Sequence, residues 1–179
     1  DLIRNSPVAG HSGLDTLCRI VSEKKIRASG KIIRGKYPVV CFTAETPDRL
    51  LAGRRFRSAL ARWDFEPFGV GVPMEEAKRA GARAVAYLPS DKYSGLADSE
   101  RPFYQKSGPD SKDWSHEKEW RHMGDFDLSR ASGICLYVPS NCIEKLFANL
   151  SGSPQPGQNE PPAPPPPNCP PPPLGSTDE

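Results

Sequence analysis

An α+β fold class is predicted, a single domain with a small split β-sheet and flanking helices, and three observations predict it. Segments with apolar residues at helical spacing are interspersed with β-prone runs of about five residues. The long regular strand-helix-strand rhythm of a doubly wound sheet is absent, and no internal repeat is found. Core-forming residues also stop near position 150, after which the chain reads SGSPQPGQNEPPAPPPPNCPPPPLGSTDE. Twelve of the 21 prolines lie in that stretch, which predicts polyproline II or disordered coil over 151–179 and a folding unit over 1–150.

The elements follow in order. Ser12, with Asp15 three residues on, has the form of a capping box, and Leu14, Leu17, Cys18 and Val21 then predict an amphipathic helix directly after His11, with Gly30 closing the unit. Val39 to Thr43 is a β-prone run. Thr46-Pro47-Asp48 predicts a helix start, and the helix it opens is expected to carry Arg49, Arg54, Arg55, Arg57 and Arg62. Strands are predicted at Phe68 to Val72 and Ala84 to Leu88, joined by a short helix from Pro73 to Gly81. A polar loop covers 89–113. A buried strand is predicted over 134–138, then a final helix capped by Ser140 with Ile143, Leu146, Phe147 and Leu150 on one face.

The net charge of +2 hides an imbalance, because the proline-rich stretch holds Glu160, Asp178 and Glu179 but no Lys or Arg. The folded part is therefore mildly basic, suited to anionic ligands but far from the charge of a dedicated DNA binder. The arginines of 49–62 have two readings, a solvated helix face or a surface that neutralises nucleic-acid phosphates. None of the five cysteines stands in a Cys-x-x-Cys pair, which predicts reduced thiols and a cytoplasmic protein. No stretch is apolar over the length of a membrane helix, so no membrane partner is expected. The proline-rich stretch reads as a solubilising spacer or as a ligand for an aromatic groove of SH3 or WW type.

The densest chemistry is WSHEKEWRH, Trp114 to His122. The zinc-protease motif requires His at position 120, where Trp stands, and His116 with His122 alone is too few ligands; no metal is expected. GHSGL at 10–14 resembles a nucleophile elbow in outline only, and Ser12 is better read as a helix cap. Glu117 and Glu119 remain. In an extended segment they share one face while Lys118 and Trp120 take the other, an arrangement suited to a sugar-binding or proton-abstracting site or, equally, to an edge strand whose glutamates pair with arginines. Trp114 and Trp120 read as core or rim packing, and Arg121 as an ion-pair partner.

A strand-end Glu-x-Glu resembles the signature of ADP-ribosyltransferases. The resemblance implies that Glu119 contacts the nicotinamide ribose of NAD and stabilises its oxocarbenium ion, while Glu117 assists the acceptor. AGHSGLDTLCRIVSEKKIRASG resembles the transferase opening with its strand-borne His, here His11, and CFTAETP resembles the second-strand segment whose hydroxyl residue, here Thr43, shapes the NAD pocket. Ser12, Phe42, Tyr87 and Arg121 would complete it, with Phe42 or Tyr87 stacking on nicotinamide and His11, Arg4 or an arginine of 49–62 meeting the diphosphate. Two positions depart from the commonest pattern: Phe42 lacks the hydroxyl of the usual Tyr, and Ser12 replaces the Gly that follows the first-strand His.

The ordered set VVCFTAETP, PFGVGV, GARAVAYL and DWSHEKEWRH, within residues 8–147, is also similar to a family of uncharacterised bacterial (AbiGi-like) domains found among abortive phage-infection proteins. More distantly, it resembles DNA-modifying transferases of the DarT sort. Two functions follow as expectations. One is an NAD-dependent ADP-ribosyltransferase-like domain of a phage-defence or toxin system, modifying a nucleic acid or a protein. The other is a non-catalytic interaction or sensor module in which the Glu-x-Glu-Trp-Arg cluster is structural.

Overall fold

A computed structural model describes residues 12–57, 62–108 and 114–152. The predicted mixed class holds: helices are interspersed with short strands gathered into small sheets. Helix α1, Gly13–Glu23, begins on the predicted capping box, in which Ser12 Oγ accepts from the Asp15 amide (3.1 Å) and the Asp15 carboxylate accepts from the Ser12 amide (3.2 Å). It ends at Lys24, whose left-handed backbone (φ 50°) turns the chain into strand β1, Lys25–Ile26.

Strand β2, Val39–Thr43, has the predicted limits. Beyond it lie helix α2 (Pro47–Ala52), strands β3 (Phe56–Arg57), β4 (Arg62–Trp63) and β5 (Gly69–Gly71), and helix α3 (Met74–Arg79). Next come β6 (Arg83–Ala84), β7 (Ala86–Leu88), β8 (Tyr104–Lys106), β9 (Glu119–Met123), β10 (Phe126–Asp127), β11 (Cys135–Tyr137) and helix α4 (Ile143–Leu150). The centre is the antiparallel sheet β2-β9-β6. Four two-stranded pairs surround it: β1 with β10, β5 with β11, β3 with β4, and the parallel pair β7 with β8. Beneath the sheet, Val40, Phe126 and Leu128 form a core against which Ile20, Phe42 and Val70 pack.

Several expectations are corrected. The arginine-rich helix stops at Ala52 on Gly53, and β3 and β4 pair antiparallel instead, so Arg49 alone of the five arginines lies on α2. Arg57 is the backbone register partner of Arg62, and Arg54 lies over the Trp63 ring at 4.8 Å. The reason is local: Gly53 ends the helix, and aromatic Phe56 and Trp63, packed edge to face at 5.7 Å, favour a ribbon over a helix turn. The run at 84–88 splits into two strands, and the polar loop contains β8 and two 3-10 turns, Ser90–Gly95 and Arg101–Phe103. Strand β11 is exposed along its length, because it pairs with β5 at the rim of the fold. On α4 only Leu146 is buried; Ile143, Phe147 and Leu150 face solvent. Ser140 sits in a 3-10 turn before the helix, and no side chain caps α4. The expectations for His11, Arg4, Cys169 and the stretch beyond 152 lie outside the described residues. Among the described residues no helix is long and apolar enough to cross a membrane.

Candidate functional site

The WSHEKEWRH stretch does not run extended from end to end. Ser115–Glu117 form a 3-10 turn, Lys118 adopts a left-handed conformation (φ 45°), and the strand begins only at Glu119. The expected sharing of one strand face by Glu117 and Glu119 is therefore overturned, since the turn at Lys118 breaks the period-two alternation. The turn is pinned from β2. Thr43 Oγ1 donates to the Glu117 carbonyl (2.6 Å), Ala44 N–H donates to the Lys118 carbonyl (3.1 Å), and Lys118 Nζ pairs with Glu45 (3.0 Å).

Within β9, Glu119 and Arg121 share one face and Trp120 and His122 the other. The register sets Thr43 opposite Glu119, Phe42 opposite Trp120, and Cys41 and Arg83 on either side of Arg121. Arg121 is 1% exposed and is the centre of the arrangement. Its Nε and one Nη2 proton reach the two oxygens of Glu119 (2.8 and 3.0 Å), a bidentate pair. Nη1 donates to the carbonyls of Pro102 and Tyr104 (both 2.8 Å), and Nη2 also donates to Gln105 Oε1 (2.9 Å). A guanidinium has five N–H donors, and these contacts engage all of them. From the neighbouring strand, Arg83 lies over the Phe103 ring at 4.4 Å and donates to the Ser99 carbonyl (3.4 Å). Two arginines thus hold the 99–105 segment onto the sheet.

The electrostatics of that face follow from burial. The Cys41 thiol, desolvated against the sheet although the residue keeps some open surface, is pushed up to about 12, and the Glu119 carboxylate adds to the shift. The Tyr87 hydroxyl accepts from the Glu119 amide (3.1 Å), and desolvation raises its pKa above the usual phenol value. Glu45 is held below the usual carboxylate range, first by the Thr46 amide it accepts from and then by Lys118.

The opposite face of the same strands looks onto a cavity of about 470 Å³. Phe42 and Trp120 form its floor, Leu50 and Leu51 of α2 and Phe68 and Val70 of the β5 segment its walls. The described residues lining it include two carboxylates, Glu45 and Glu66, and no Lys, Arg or His. A volume of this size and an apolar lining are typical of a small-molecule site.

Of the residues the sequence singled out, Thr43, Tyr87, Glu119 and Arg121 do meet at the start of β9, with Glu117 one turn before them. Phe42 turns its ring to the cavity side and packs edge to face on Phe126 at 5.1 Å. Ser12 is occupied as a helix cap, the role also read from the sequence. Trp114 stacks with His116 (6.3 Å) in the turn, while His122 sits on the strand between the Ala80 and Gly124 carbonyls, so the two histidines share no face. No group of three or more metal-ligating side chains occurs among the described residues. The partners that matter most to Arg121 are backbone carbonyls at 102 and 104, which carry no sequence signal. Comparison with family models, with curated proteins and with solved structures finds no match for this chain.

Proposed function

We propose that this chain is a non-catalytic binding module, a sensor or partner-binding domain, in which the Glu-x-Glu-Trp-Arg segment is a structural clamp. The observation that carries this reading is the complete engagement of Arg121: with every N–H donated inside the fold, and both Glu119 oxygens accepting from it, the pair has its chemistry directed inward. Each Glu119 oxygen keeps a lone pair, but a carboxylate already neutralised by a buried bidentate guanidinium offers less charge to an oxocarbenium ion than an unpaired one. The resemblance to domains of abortive phage-infection proteins gives the setting in which we place it, a defence system. A structural role for the clamp predicts that Glu119→Gln lowers the melting temperature, because Arg121 keeps its charge in a desolvated place and loses its counter-ion.

A second reading, an ADP-ribosyltransferase-like enzyme acting on NAD, is favoured by a different observation. Thr43 lies directly across from Glu119, and the Tyr87 hydroxyl touches the Glu119 backbone, so the residues that the resemblance nominates are neighbours. In that reading the nicotinamide glycosidic bond breaks as the ribose turns cationic beside Glu119. One experiment separates the two. Calorimetric titration of the whole chain with NAD, run beside nicotinamide release and thermal unfolding, is repeated on Glu119→Gln. No NAD binding at millimolar concentration and a lower melting temperature in the variant support the module. Saturable binding, with nicotinamide release that vanishes in a variant of unchanged stability, establishes the enzyme and ends our reading.

A further inference from the structure

The cavity under Phe42 and Trp120 points to a ligand class, and this inference rests on the binding-module reading in treating that cavity as the place where the module meets its ligand. We propose that it takes an aromatic small molecule bearing one positive charge, with the ring against Phe42, Phe68 and Trp120 and the charge toward Glu66.

Shape and charge lead there separately. The space, about 470 Å³, is of a size that takes a compact ring system. Its aromatic walls offer faces with negative quadrupole, which attract a cation as well as bury apolar surface. The backbone contributes as well. Gly69 lines the cavity, and a Cβ placed there would meet nothing closer than the Tyr137 ring at 3.7 Å, so at this position the wall is bare main chain.

The charge argument is one of signs. The described lining itself holds no cation; the cations beside it are Lys118 and Arg49, which pair with Glu45, and Lys78, 5.8 Å from the centre of the Trp120 ring. The two lining carboxylates differ in availability. Glu45 is committed to Lys118 (3.0 Å), to Arg49 (3.6 Å) and to the Thr46 amide (3.0 Å). Glu66 stands exposed and forms no ion pair with a described residue, and so is the group left to meet an incoming charge. The same asymmetry separates this cavity from a dinucleotide site, whose diphosphate needs cationic or clustered amide donors.

A matched series tests it: 1-naphthylmethylammonium, 1-naphthylmethanol and 1-naphthoate share one ring and differ in charge. Each is titrated calorimetrically into the whole chain and followed by the shift of the Trp120 indole signal in NMR. The expected order is cation, neutral, anion, with about threefold between steps, the size of one solvent-exposed ion pair. In Glu66→Gln the cation should fall to the level of the neutral compound while the other two change little. Gly69→Leu should abolish binding of all three by filling the space; if that variant does not fold, the Trp120 shift in the native chain locates the ligand instead. The proposal is overturned by tightest binding of the neutral or anionic compound, by the absence of saturable binding for all three, by a cation preference unchanged in Glu66→Gln, or by binding that leaves Trp120 unmoved. These readouts involve neither NAD nor Glu119, so failure here and failure of the module reading are told apart.

Discussion

Arg121 and Glu119 show how a surface-looking motif becomes an interior one. Two charges taken out of water are costly unless each hydrogen bond is met, and here the guanidinium has no donor to spare. Removing one partner should therefore cost far more than the pair itself contributes. Arg121→Met is expected to lower unfolding free energy by about 3–5 kcal/mol in a denaturant titration, and Arg121→Lys by nearly as much, because an ammonium cannot reach two carbonyls, an amide and a carboxylate at once. Cys41 gives a prediction in pH. Its thiol titrates at about 12 in the fold and near 8.5 when unfolded, so the folded form holds the proton longer. That contribution to stability is fully present below about pH 8.5 and is lost as pH rises from there toward 12. Alkylation of Cys41 by iodoacetamide, followed by peptide mass mapping, should still be accelerating at pH 10; a plateau near pH 9 would contradict the assignment. At this scale the partner type of Arg121 was legible, since an arginine two residues from a glutamate on a strand shares its face. The Pro102 and Tyr104 carbonyls were illegible, because a backbone acceptor has the same sequence appearance everywhere.

Among the elements, the helices differ in how much of their sequence pattern the fold uses. The capping box and Leu17 of α1 act as read, with Leu17 buried. In α4 the apolar stripe is real but only Leu146 is buried, so Leu146→Ala should cost about 2–5 kcal/mol whereas Phe147→Ser should stay within about 0.5 kcal/mol of the parent. Equal losses at both positions, measured by the same titration, would show that Phe147 is covered in solution. Periodicity reports which residues share a face of a helix, and cannot report whether anything is packed on that face. Backbone conformation adds a second prediction at this scale. Lys24 occupies the left-handed region at the end of α1, where its amide donates to the Ile20 and Val21 carbonyls. Lys24→Gly keeps those bonds without the Cβ penalty and should raise stability by about 1 kcal/mol, visible as a higher melting temperature. Lys118 holds the same conformation, and there the sequence misled: an alternation of Glu, Lys, Glu and Trp looked like one strand when its first part is a turn.

The whole molecule is assembled from short strands around one three-stranded sheet, and its stability should be unevenly spread. The amides of β9 lie between two strands, with Arg121 and the Val40–Phe126 core on either side. Native-state hydrogen exchange should find its slowest amides in β2 and β9 and markedly faster ones in the two-residue β3–β4 pair; the reverse order would mean that another element holds the fold together. The sequence by itself determined the mixed class, the limits of β2, the capped start of α1 and the chemical weight of the WSHEKEWRH stretch. These are local properties, written in spacing, capping chemistry and β-propensity, and they survive whatever surrounds them. Only the tertiary structure decided that both Glu119 oxygens accept from Arg121, that the arginines of 49–62 scatter beyond one helix, and that a cavity lies on the Phe42 and Trp120 side of the sheet. Each depends on which strands become neighbours and in what register, and a pairing across more than 70 residues, such as Thr43 with Glu119, is fixed by the packing of the whole chain.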